Sequence, residues 1–241
     1  MSRTKRVFQV FLLVGTAISL YYVPWSILGA WLPPLPDSVE AQLEASAQGA
    51  LDGIVVYADF GDGVPVTAAV GWHDPARELP ARADALFKIA SISKLYVAVA
   101  VTKLAVGGQL DLDAPLSMLL PEFAGRITHA DRITPRLLVQ HRSGIPNYTD
   151  APMFWAERPS SAEGCLELVL DAPADFEPGE DWAYSNTNYL LLGMIMDQAL
   201  GYPHFDFIQT AILYRFGLTE TYAVLDARNE ADVMSGFHVG Y

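Results

Sequence analysis

The order of patterns along the chain predicts an α+β fold. Two segments, "GIVVYADF" (53–60) and "VPVTAAVGW" (64–72), alternate as strands and flank "GDG", the signal of an antiparallel hairpin. From residue 90 onward the apolar residues recur at helical spacing in one segment after another. Strands and helices are therefore segregated rather than alternating, and the sheet is short of strands for so many helices. At 241 residues the chain is long enough for one good core, or at most two small ones.

The first element is apolar. Arg3, Lys5 and Arg6 form a basic flank over 1–6, and no charge follows from Val7 to Pro36. About 20 apolar residues span a bilayer, so 7–31 reads as a transmembrane anchor despite Pro24. The basic flank predicts a cytoplasmic start, and Tyr21, Tyr22, Trp25 and Trp31 suit the far interface. The alternative is a signal peptide cleaved after "AIS" (17–19). Both readings put the body, 41–241, on the periplasmic or extracellular side of the cytoplasmic membrane. Residues 32–40 form a proline-rich linker.

After Asp37, Val39, Leu43 and Ala47 recur at four-residue spacing, the mark of a capped amphipathic helix. The hairpin follows, then a polar loop (72–84), then Leu86–Ile89 and an apolar helix ending at Gly107–Gly108. "ITPRLLVQHRSG" (133–144) offers Thr134 as cap, Pro135 at the first helical position and Gly144 as terminator. "SAEGCLELVLD" (161–171), "NTNYLLLGMIMDQALG" (186–201) and "PHFDFIQTAILYRFG" (203–217) continue the helical series, the second ending at Gly201.

Charge and composition exclude several functions. From residue 41 onward 12 Lys and Arg face 26 Asp and Glu, a surface that repels phosphate backbones. The single cysteine, Cys165, permits no intrachain disulfide and reads as a core position on its helix. The five histidines show no metal-ligand spacing, so no metal site is expected.

Within "LFKIASISKLYVAVA" (86–100), Ser91 and Lys94 stand three apart, one turn from each other on a single helix face. Ala90, Val97, Ala98 and Val101 share that face, and desolvation by such neighbours favours an amine that can accept a proton. The helix N-terminus favours an oxyanion near Ser91, and a serine needs a neighbouring base to become a nucleophile. Lys103, in the last turn, suits the dipole and extends into water. Alone, S-x-x-K is a weak signal, with about one chance match per chain of this size; Ser2–Lys5 is such a match. In "DWAYSNTNYLLLGMI" (181–195), Tyr184 and Asn186 precede an apolar helix that Asn186 or Thr187 can cap. The bland reading is a capped helix with a tyrosine beneath it. The chemical one presents the phenol and the amide to the cleft that holds Ser91.

Together "LFKIASISK", "GQLDLDAPLSMLLPEF", "LLVQHRSGIPNY" and "YSNTNYLLLGMI" resemble successive blocks of the serine β-lactamase-related hydrolases, over roughly 40–241. That group includes class C β-lactamases, D-alanyl-D-alanine carboxypeptidases and esterases. The resemblance implies a β-lactamase/transpeptidase-like fold, an antiparallel sheet flanked by helices plus a helical region. It implies Ser91 as acylated nucleophile, Lys94 and Tyr184 sharing its proton, and Asn186 holding the substrate amide, with no cofactor. His141 matches a family position and reads as scaffold near the cleft. No G-x-S-x-G occurs, which excludes a nucleophile elbow. The family's third motif, K-T-G or H-x-G, lies far downstream of Y-x-N. Only 55 residues follow Asn186, so the expectation is a domain incomplete at its C-terminus. His238-Val239-Gly240 is the one H-x-G there.

The function expected is a membrane-anchored, exported serine hydrolase acting on a peptide, ester or β-lactam-like amide. The alternative is a non-catalytic, membrane-tethered relative that binds cell-wall peptide or a protein partner. Neither reading involves nucleic acid.

Overall fold

The computed structural model describes residues 3–31, 34–47, 51–61, 63–152, 154–226 and 230–236. The described chain falls into two compact units, one formed by 1–85 with 234–241 and the other by 86–233.

In the first unit, helix α1 (Arg3–Tyr21) and helix α2 (Trp25–Trp31) replace the single apolar helix expected over 7–31. The break has a local cause. Pro24 has no N–H to continue the ladder. The chain turns there, with the Trp25 N–H bonding back to the Val23 carbonyl at 2.8 Å and its indole Nε1 donating to the Leu20 carbonyl at 2.9 Å. Among the described residues no helix is long and apolar enough to cross a membrane. Helix α3 (Val39–Ala47) buries Leu43 and packs on the hairpin. Strands β1 (Gly53–Ala58) and β2 (Val66–Asp74) pair antiparallel from Gly53↔Gly71 to Ala58↔Val66. Gly71 is left-handed at φ +85°, and a Cβ there would strike the Asp52 carbonyl, so the close approach of the two strands needs glycine. The loop expected over 72–84 holds a third strand, β3 (Leu79–Pro80), two residues paired along the far edge of β2.

The second unit is helical. Its core helix is α8 (Asn186–Leu200), packed by α4 (Ser93–Val106), α6 (Pro135–Val139), α7 (Ala162–Glu167) and α9 (His204–Ile208). A short helix, α5 (Leu116–Leu119), lies between α4 and α6 in the chain. The pairs Thr187/Asn188, Leu191/Leu192 and Ile195/Met196 put one buried stripe along α8 at four-residue steps. From α4, Val101 and Leu104 meet it, and Leu138 and Leu166 complete the same cluster. Cys165 is half-buried; its neighbour Leu166 takes the core position. Thr134 and Pro135 start α6 as expected, the threonine accepting from the Leu137 N–H. That helix stops well before Gly144, however. His141 is left-handed at φ +57°, and the Arg142 N–H closes on the Leu137 carbonyl at 2.8 Å. The pattern over 203–217 is likewise broken, passing through a π turn at Gln209–Leu213 and a 3₁₀ turn at Tyr214–Phe216 before Gly217.

Candidate active site

Ser91 sits in a 3₁₀ turn, Ala90–Ile92, that feeds directly into α4. Ala90 holds a left-handed backbone at φ +46°, a conformation that disfavours any side chain with a Cβ. The Ser91 N–H makes no hydrogen bond to another described residue. One turn on, Lys94 is half-buried on the α4 face that continues through Val97, Ala98 and Val101 into the core.

Tyr184 and Asn186 arrive from the start of α8. The Tyr184 hydroxyl lies 2.7 Å from Ser91 Oγ. Lys94 Nζ donates to Ser91 Oγ at 3.2 Å and to Asn186 Oδ1 at 2.8 Å. Tyr184 also donates toward Asn186 Oδ1 at 3.4 Å. The amine stands 5.1 Å from the Tyr184 ring centre and 5.6 Å from that of Tyr189, both within cation–π range. All four residues singled out in the sequence thus meet in one hydrogen-bonded group. Burial of the phenol works to raise its pKa. Hydrogen bonding from Lys94 and Ser91, with the charge of the lysine, outweighs that and holds Tyr184 below its ordinary range.

The start of α8 is not capped by its own residues as expected. Ser185 occupies the cap position without a side-chain cap bond. Instead the loop after α6 supplies the acceptors. Asn147 Oδ1 accepts from the Asn186 N–H at 2.9 Å and from Asn186 Nδ2 at 3.1 Å. Thr149 Oγ1 accepts from the same Nδ2 at 3.3 Å. Thr187 Oγ1 donates to the Pro146 carbonyl at 2.7 Å and accepts from the Tyr148 N–H at 3.1 Å. Both amide hydrogens of Asn186 therefore have acceptors within the protein, while its oxygen faces Lys94.

The His141 ring packs tilted against two tyrosines, its centre 4.6 Å from that of Tyr184 at 31° and 5.1 Å from that of Tyr189 at 36°, with Trp182 edge-on to it. The Ser185 N–H donates to His141 Nδ1 at 3.1 Å, which places the proton of a neutral imidazole on Nε2. Burial, then the charge of Lys94, lowers the His141 pKa below the usual 6.5. Beneath it Ser143 Oγ donates to Asn188 Oδ1 at 2.6 Å in a fully buried pair.

Asn147, Thr149 and this use of His141 escaped the sequence reading. Asn147 lies in a quoted block, "GIPNY", but nothing local links it to a residue 39 positions away. Among the described residues no group of histidines, cysteines and carboxylates is arranged to hold a metal. His238 lies outside the described residues.

Comparison with known proteins gives the family. The Beta-lactamase family profile matches residues 37–239. The chain is similar to penicillin-binding protein 4* of Bacillus subtilis (strain 168), at 30% identity over 196 residues, covering 79% of this chain and 42% of that protein. It is similar to esterase EstB of Burkholderia gladioli, at 31% identity over 208 residues, covering 78% of this chain and 50% of that protein. Among solved structures, D-amino acid amidase from Ochrobactrum anthropi SV3 superposes with a TM-score of 0.60 at 28% identity, over 74% of this chain and 50% of that one. The octameric penicillin-binding protein homologue from Pyrococcus abyssi gives 0.69 at 27% identity, over 83% and 46%. The chain spans about half the length of the curated relatives it matches. With Lys94 and Tyr184 both bonded to the Ser91 hydroxyl and the family profile covering most of its length, the chain belongs to the beta-lactamase family.

Proposed function

We propose that the protein is a serine hydrolase working through an acyl-enzyme on small amides or esters. The observation that carries the reading is the placement of Ser91 Oγ 2.7 Å from a phenol and 3.2 Å from an amine. A serine hydroxyl is a poor nucleophile until a neighbouring base takes its proton. Tyr184, held below its ordinary pKa, and Lys94 are the groups in reach.

Ser91 Oγ attacks the substrate carbonyl carbon while its proton passes to the Tyr184–Lys94 pair. The Ser91 N–H is a donor for the resulting oxyanion. The pair returns the proton to the leaving amine or alcohol, and an ester to Ser91 remains. Water, deprotonated by the same pair, attacks that ester, releases the acid and restores the serine. Asn186 holds Lys94 through Oδ1, and a substrate amide that engages its Nδ2 competes with Asn147 and Thr149. The amidase, esterase and penicillin-binding relatives support amides and esters as the substrate class. The basic flank and the uncharged run from Val7 to Pro36 support attachment to a membrane with the body outside the cytoplasm.

The test is covalent labelling of the whole folded protein with a fluorophosphonate, followed by peptide mapping. The expected result is a single adduct on Ser91 that disappears in Ser91→Ala. An unlabelled Ser91 in the folded protein overturns the assignment. Retention in the membrane pellet after alkaline carbonate washing tests the attachment, and full release overturns it.

A further inference from the structure

Resting on that reading, we infer that Asn147 is a positioning residue that sets the polarity of the Asn186 amide and thereby holds Lys94 on Ser91. The argument starts from which groups can only donate and which can only accept. At one end, the Asp150 carboxylate is an acceptor, and Asn147 Nδ2 lies 3.0 Å from its Oδ1. Asn147 therefore turns its NH2 toward Asp150 and Thr149, the latter at 2.7 Å, and its oxygen toward α8. There that oxygen meets a backbone N–H, which can only donate. The two ends of Asn147 are fixed independently, and they agree.

The consequence passes to Asn186. With an acceptor at Asn147 Oδ1, the Asn186 side chain must present Nδ2 inward, which leaves Oδ1 facing the active site. Lys94 has only donors to offer when charged, and it meets that oxygen at 2.8 Å. A flipped Asn186 amide would set NH2 against NH3⁺ and turn the oxygen toward the lone pairs of Asn147. Donation thus runs from Lys94 through Asn186 and Asn147 to Asp150, and the same amine donates separately to Ser91 Oγ. Its anchor lies on a loop whose path is set by Gly144 at φ +77°.

The experiment compares wild type, Asn147→Ala and Asn147→Asp for two quantities: the rate of Ser91 labelling by a fluorophosphonate, and the exchange of the Asn186 backbone amide measured by NMR. Asn147→Asp keeps an oxygen for both Asn186 donors, and the exposed Asp150 can turn away into water. The amide at the first helical position ordinarily exchanges fast because it has no intrahelical partner. Expected are slow exchange in wild type and the Asp variant, and fast exchange in the Ala variant. Labelling should fall roughly 10–100-fold in the Ala variant through misplacement of the amine. In the Asp variant it should return to within a few-fold of wild type, an outcome that simple loss of folding does not produce. Equal labelling rates in wild type and Asn147→Ala overturn the inference and leave the hydrolase reading intact. If wild type takes up no label, the hydrolase reading fails. The exchange data then still decide the anchoring, slow in wild type and fast in Ala supporting it, fast in both overturning it.

Discussion

Replacing Gly144 by alanine is the single-methyl change to which the site should be most sensitive. The residue is left-handed at φ +77°, and a Cβ built there falls inside van der Waals contact of the Phe176 carbonyl oxygen, with Phe176 Cδ2 at 3.5 Å. The obstacle is backbone, so no rotamer change relieves it. The left-handed conformation alone costs a residue with a Cβ about 1–2 kcal/mol. Moving the two strands of chain apart also weakens the 2.9 Å bond from the Asp175 N–H to the Gly144 carbonyl, worth about 1 kcal/mol. With residual steric strain the total is about 3–5 kcal/mol, at the upper end of single-residue effects. For a chain of this size that corresponds to a fall in Tm of roughly 6–20 °C. Gly125→Ala is the control: the site is exposed, its φ is not left-handed and a Cβ meets nothing within 4 Å. It should stay within about 0.5 kcal/mol of wild type. Thermal and urea unfolding of both variants measure the difference. Gly144 also lies three residues from His141 and three from Asn147, so Ser91 labelling should fall at temperatures where the variant is still folded. A Gly144→Ala protein that melts with wild type would refute the steric reasoning and the loop geometry it rests on.

Other outcomes follow from the same contacts. Tyr184→Phe keeps the ring against His141 but removes the hydroxyl at Ser91, so labelling of Ser91 should fall roughly 10²–10⁴-fold with an unchanged melting curve; labelling at the wild-type rate would remove the phenol from the mechanism. Ser143→Ala leaves both Asn188 Oδ1 and the Ile145 N–H without the hydroxyl in a site only 1% exposed, and should cost about 2–3 kcal/mol in urea titrations. His141 has a folded-state pKa below its ordinary 6.5, so the unfolded chain takes up the proton first. Its contribution to stability is full above about pH 6.5 and is lost as pH falls from there through the folded value. Wild type should therefore lose more unfolding free energy between neutral and mildly acid pH than His141→Asn; parallel curves would contradict this.

Much of this molecule could be read from local pattern. The hairpin follows from alternation around "GDG", the α8 stripe from four-residue steps, and the adjacency of Ser91 and Lys94 from the pitch of a helix. Each signal lies within a few residues of its effect. The exceptions were also local in cause. Helix α6 ends at Val139 because His141, not a glycine, takes the left-handed turn, and the ring it delivers is held by Tyr184 and Tyr189. The apolar run at 7–31 reads as one span by hydropathy, yet a single missing N–H at Pro24 divides it.

What the sequence determined by itself was therefore the inventory of the site: the serine, the amine one turn away, the phenol and the amide two residues on. Tertiary structure alone decided that the phenol reaches across 93 positions to within 2.7 Å of the serine, and which way the Asn186 amide points. Periodicity carries no record of such contacts. An amide is nearly symmetric in shape, so its direction is set only by the donors and acceptors that the fold brings against each end.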